Sequence, residues 1–146
     1  MKRPLIFLAA LLATACSELP KDPGGTLERV TREQRFRVGI VSSPAAADGR
    51  LHALLARVAV ATGARPSIEQ DAAERLLIRL GEGELDLVLG EFQRKGPWSM
   101  HVHMLPALAR NSVAGRETLI AAAAPPGENG WIMLLDREAR ALGAQP

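Results

Sequence analysis

The sequence predicts an α/β domain built on a parallel sheet. Three observations carry that expectation. Strand and helix signals alternate between residues 36 and 90. Within the helical stretches, apolar residues recur at i, i+3, i+4 and i+7. The stretch 85–90 (LDLVLG) is nearly continuously apolar, as a strand covered on both faces is. Strands and helices alternating at these lengths favour parallel βαβ units with right-handed crossovers.

Each element has its own local reason. Residues 26–34 (TLERVTREQ) form a short polar helix with Leu27 and Val30 on one side. Residues 36–41 (FRVGIV) are rich in Val and Ile and read as a strand. A loop of small residues follows, and Asp48 can cap the next helix, over about 50–62. Its Leu51, Leu54, Leu55 and Val58 share one face, and Gly63 stops it. Residues 65–69 are a weaker strand carrying Ile68. Asp71 and Glu74 have the spacing of a capping box. The helix they would open aligns Ala73, Leu76, Leu77 and Leu80. Residues 118–124 (TLIAAAA) predict a further strand. After the break at Pro125-Pro126-Gly127, Asn129 is expected to cap a closing helix that buries Ile132, Leu135, Ala139 and Leu142. Between Pro97 and Arg116 the pattern is unclear.

The 146 residues suffice for one domain. Hydrophobic residues make up 47% and charged ones 23%, a globular balance. The net charge of +2 is spread along the chain without a basic stripe, which argues against nucleic acid. With three Phe, two Trp and no Tyr, flat rings for stacking a ligand are few.

The N-terminus carries export information. Met1-Lys2-Arg3 is positive, and residues 4–15 are apolar apart from Thr14. The run is shorter than the ~20 residues that span a bilayer, and it fits the apolar region of a secretory signal. It ends in Leu12-Ala13-Thr14-Ala15-Cys16, and Cys16 is the single cysteine of the chain. A lone Cys has no internal disulfide partner. The segment resembles a lipobox, which implies removal of residues 1–15, lipidation of Cys16 and a membrane anchor. Ala13 stands where Leu is usual in that motif, and Ala13-Thr14-Ala15 also reads as an ordinary A-x-A cleavage site. Simple secretion to the periplasm is therefore the alternative. The remainder divides into a flexible tether, 16–25, with two Pro and two Gly, and one α/β domain, 26–146. Ser17 after the Cys implies the outer rather than the inner membrane.

The opening Thr26-Leu27-Glu28-Arg29-Val30, then Phe36-Arg37-Val38-Gly39-Ile40, resembles that of extracellular solute-binding proteins of the polar amino-acid type, family 3. The stretch 80–90 is similar to that family's L-x-x-G-x-x-D-L-V-x-G segment, with Asp86 at the helix-to-strand corner. The resemblance covers roughly residues 26–108, with a looser echo at the C-terminus. It implies a type II periplasmic-binding-protein-like lobe, a parallel or mixed sheet with helices on both faces. Members have two lobes joined by crossing strands, whereas this chain has room for one. The simplest account is that the second lobe is missing and residues 118–142 close the first. The family's carboxylate-clamping Arg is replaced, since Trp98 falls at its place and Arg94 is out of register.

In open parallel α/β sheets, ligands sit beyond the carboxyl ends of the strands. That points to Ser42 and Ser43 after the first strand and to Glu91, Phe92, Gln93 and Arg94 after the third, with Trp98 either a ring that stacks on a ligand or partner or one that fills the lobe surface. The Ser hydroxyls could hold a polar solute and Arg94 an anion. Solvated loop residues are the bland alternative. His101 and His103 would share a face on a strand, but two His without a third ligand make a thin metal site. His52 lies on the polar side of its helix, and Trp131 is expected in the core. No G-x-S-x-G, phosphate loop, CxxC or HExxH is present. No catalytic residue, metal or cofactor is expected, and no enzyme.

Two functions follow as expectations. One is an envelope lipoprotein that presents a small polar solute to an ABC-type membrane transporter, with a dimer or the transporter supplying the missing wall. The other is an accessory envelope protein that grips a protein partner and binds no solute.

Overall fold

The structure is a computed structural model that describes residues 22–93, 96–113 and 115–143. The expected signal segment, Cys16, the start of the tether and Arg94 lie outside the described residues.

The chain runs α1 (Thr26–Glu33), β1 (Arg35–Val41), α2 (Gly49–Thr62), β2 (Arg65–Asp71), α3 (Ala73–Gly81) and β3 (Leu87–Gln93). It continues with β4 (His103–Met104), β5 (Ala109–Val113), β6 (Arg116–Ala124) and α4 (Asn129–Gly143). The strands form one sheet in the order β2-β1-β3-β6-β4, with β5 also on β6. β1 is parallel to both β2 and β3, as the βαβ reading expects, with Val38 opposite Ile68 and Leu87. β6 is antiparallel to β3, so the sheet is mixed.

Apolar periodicity decides the layers. On one face Val38, Ile40, Leu87, Leu89 and Ile120 meet Leu51, Leu54, Leu55 and Val58 of α2 and Trp131, Leu135 and Ala139 of α4. On the other, Val41, Val88, Ala121 and Ala123 meet Leu76, Leu77 and Leu80 of α3. The lobe is therefore an α/β single lobe with helices on both faces of a mixed sheet.

One glycine is required by this packing. A Cβ on Gly90 would lie 2.6 Å from the Cβ of Val41 on the neighbouring strand. Both belong to the middle of the sheet, where neither backbone can retreat. Gly90→Ala is expected to cost about 1–3 kcal/mol by overpacking. Urea unfolding would show this as a lower midpoint at an unchanged m-value.

Three local expectations are corrected. Asp48 caps α2, accepting from the Arg50 amide at 2.9 Å, but the Asp71–Glu74 capping box does not form. Asp71 ends β2, α3 begins after Ala72, and Arg75 and the Ala72 amide take the Asp71 carboxylate. Asn129 is the first residue of α4 rather than its cap. The Gly130 amide is taken by Asp22 at 2.8 Å. In return Glu128, 6% exposed, accepts from the Gly24 and Thr26 amides at 2.5 and 2.8 Å, serving the start of α1. This exchange satisfies amides that each helix leaves open. The tether expected to run freely to Gly25 is thereby held from Asp22 onward.

The corner before β3 is a second tie. Asp86, 1% exposed, accepts from the Arg37 amide at 2.7 Å and from its guanidinium at 2.7 and 3.1 Å. Arg29 of α1 reaches the same carboxylate. The Asp86 carbonyl accepts the Trp131 indole N–H at 2.7 Å. One residue thus joins α1, β1, the α3–β3 corner and α4. The hydrogen bond that Arg37 donates to Asp86, together with the charge of that carboxylate, holds the Arg37 guanidinium protonated beyond its already high range.

Candidate functional site

The carboxyl ends of β1 and β3 gather four of the expected residues. Ser42 is exposed, and its amide donates to the Asp71 carbonyl at 2.9 Å, tying the ends of β1 and β2. Ser43 is extended and opens a 3-10 turn over Pro44–Ala47. Its Oγ is buried and has no hydrogen-bond partner among the described residues. Ile40 sits opposite Leu89, so the parallel chains bring Ser42 toward the level of Glu91 and Ser43 toward that of Phe92.

Glu91 is half-buried. Its Oε1 accepts from the Thr118 hydroxyl at 2.5 Å. Thr118 stands opposite Gln93 on one side and Asn111 on the other. Directly opposed residues of antiparallel strands share a face. Gln93, Thr118 and Asn111 therefore make a polar row across three strands, on the face that also carries Glu91. β5 and β6 continue past the end of β3 as a hairpin, to Val113 opposite Arg116. The hairpin rises as an arm beside the strand ends.

The rim is electrostatically quiet at two places. The Arg50 side chain holds the Asp48 carboxyl below its usual range. The hydrogen bond from Arg75, then the Ala72 amide, holds Asp71 down to about 2. A carboxylate lowered in this way stays ionised until the pH falls through its folded-state value. Both acids are charged, and neutralised by their arginines, throughout the neutral and mildly acid range.

Two expected residues are elsewhere. Phe92 is 8% exposed and packs with Val41 and Leu76 on the α3 face, so its ring belongs to the core. Trp98 lies in a 3-10 turn, Pro97–Met100, half-buried against the same core. It lines a shallow apolar groove with Leu77, Ile78 and Met100, near the C-terminal end of α3. The reason is topological. After β3 the chain must descend the α3 face to reach β4, and this carries Trp98 away from the strand ends.

His101 sits in the turn and His103 starts β4, so they do not share a strand face. Among the described residues no three of His, Cys, Asp and Glu converge as metal ligands do. His52 lies on the exposed side of α2, with Nε2 3.2 Å from the Ala46 carbonyl. Thr118 and Asn111 were missed by sequence reasoning. No local signal marks them, because only strand register places them at this edge.

No family model matches the sequence, and no curated protein matches it. Solved structures do. A single-substitution mutant of the arginine-bound form of domain 1 from TmArgBP superposes with a TM-score of 0.68 at 12% identity, covering 82% of this chain and 99% of that one. Another structure of that domain's arginine-bound form gives 0.64 at 11%, covering 77% and 97%. A double mutant of the Bordetella pertussis BvgS VFT2 domain gives 0.62 at 10%, covering 82% and 93%. At such identities the likeness is one of fold: this chain has the architecture of a periplasmic-binding-protein-like lobe.

Proposed function

We propose that this chain is a one-lobe solute-binding protein of the cell envelope, anchored through a lipid on Cys16, that offers a small polar solute to a membrane transporter. The observation that carries the reading is the polar head of the sheet. Ser42, Ser43, Glu91, Gln93 and Thr118 gather where ligands bind in open α/β sheets. The likeness to TmArgBP domain 1 supports binding by a single lobe, because that domain is described as arginine-bound. In this reading the β5–β6 hairpin stands in for the strands that cross to a second lobe. The role is binding, without catalysis.

Thermal-shift screening of the full chain against amino acids, sugars and anions tests it. A ligand at 100 times its Kd stabilises the folded state by about 2.7 kcal/mol. A clear rise in Tm with one solute class is expected. No rise with any class counts against the proposal.

The accessory reading draws support from a separate observation. The groove beside Trp98 carries Met100, 87% exposed, and Ile78, 45% exposed. A protein partner that copurifies with the chain and is lost on Trp98→Ala, with no solute hit, would favour that role.

A further inference from the structure

We infer that the solute is cationic, bearing an ammonium or guanidinium group that Glu91 receives. The inference rests on the solute-binding reading above and adds the sign of the ligand's charge.

Every other described carboxylate that is not exposed has a cationic or backbone N–H partner. Asp48, Asp71 and Asp136 are paired with Arg50, Arg75 and Arg140. Asp86 holds Arg29 and Arg37, and Glu138 holds Arg57. Asp22 and Glu128 are bound by backbone amides at helix starts. Glu91 differs. It is half-buried at the head of the sheet, and among the described residues its one partner is the Thr118 hydroxyl. A hydroxyl supplies one hydrogen, whereas an ionised carboxylate has about four lone-pair sites. A partly desolvated carboxylate without a counter-charge is costly, and a cation at the site repays that cost.

The surroundings agree. Gln93 and Asn111 flank Thr118 on the same face and can accept further N–H groups through their amide oxygens. Arg110 stands opposite Leu119, on the sheet's other face, so it is not directed at Glu91. The nearby Asp48 and Asp71 are already neutralised by Arg50 and Arg75, which leaves Glu91, among the described residues, as the unmatched carboxylate of this edge. Thr118 orients the carboxylate, and Glu91 determines which solutes are accepted.

Calorimetric titration of the full chain, purified in detergent, tests this with four probes at one ionic strength: L-lysine, agmatine, L-glutamate and succinate. L-lysine and agmatine are expected to bind more tightly than the two acids. Glu91→Gln, which keeps the shape and the hydrogen bond from Thr118, is expected to weaken both cations at least about tenfold. Thr118→Val should weaken them less, since it removes orientation and not charge. Far-UV circular dichroism of both variants should match the parent. Tighter binding of L-glutamate or succinate overturns the inference and leaves solute binding standing. So does an L-lysine affinity that Glu91→Gln leaves unchanged. Failure of all four probes to bind overturns the inference, and the solute-binding reading falls with it only if the thermal-shift screen also shows no rise with any class.

Discussion

Replacing Asp86 with alanine is expected to lower the unfolding free energy by about 3 kcal/mol, the lower end of what removing one partner of a buried ion pair costs. The carboxylate is 1% exposed and collects the Arg37 amide, the Arg37 guanidinium and Arg29. Without it, the Arg37 amide is left buried and unpaired beside two cations. The arginine side chains are 23% and 40% exposed, so both can turn partly to water. That relief places the figure at the lower end. Asp86→Asn separates charge from hydrogen bonding. It can still accept from the Arg37 amide and should fall between parent and alanine variant in urea unfolding. A loss below about 1 kcal/mol in the alanine variant would show that water replaces the carboxylate at little cost.

Trp131→Ala is expected to cost about 3–5 kcal/mol, the range for deleting a large buried ring. Trp131 is fully buried and packs edge-on against Phe36, with ring centroids 6.0 Å apart at 62°. Its indole N–H also satisfies the Asp86 carbonyl, so the substitution opens a cavity and orphans an acceptor. Trp131→Phe isolates the second part, leaving most of the ring in place, and should cost about 1–3 kcal/mol. The indole's acceptor is the Asp86 backbone carbonyl, which Asp86→Ala retains, so the hydrogen bond itself does not couple the two sites. Both changes loosen the same corner, and the double alanine variant should for that reason lose less than the two single losses combined. Strict additivity in a double-mutant cycle would mean that the corner tolerates each loss independently.

Much of the first half of the lobe was legible in the sequence because its information is local. Leu51, Leu54, Leu55 and Val58 encode a helix face whatever they pack against. Val38, Ile40, Leu87 and Leu89 are all buried, as the strand reading required. The later region was not legible. β5 reads Ala-Arg-Asn-Ser-Val, with no clean alternation, because it lies at a sheet edge and half meets solvent. The capping signals misled at Asp71 and Asn129 for a related reason. A neighbouring Arg75 and a distant Asp22 offered the carboxylate and the amide alternative partners.

The candidate site divides in the same way. Ser42 and Ser43 follow from a rule about where strands end, whereas Glu91 and Gln93 were expected just past a strand ending at residue 90, and β3 runs on to Gln93 and holds both. Phe92 was misread because one residue decides which face a strand side chain takes. Trp98, expected either to stack on a ligand or to fill the lobe surface, packs against the α3 side because the path of the chain after β3 carries it there.

Taken alone, the sequence determined the alternation of strands and helices and the faces that α2 and α3 bury. Those properties depend on residues within a few positions of one another. Only the tertiary structure decided that β6 runs antiparallel beside β3, that Thr118 donates to Glu91, and that Asp22 and Glu128 exchange helix amides. These contacts join residues 25 to 108 positions apart. Neither strand direction nor such pairing is written in local periodicity. Both emerge when the chain buries its apolar faces and must then satisfy every polar group it has carried inside.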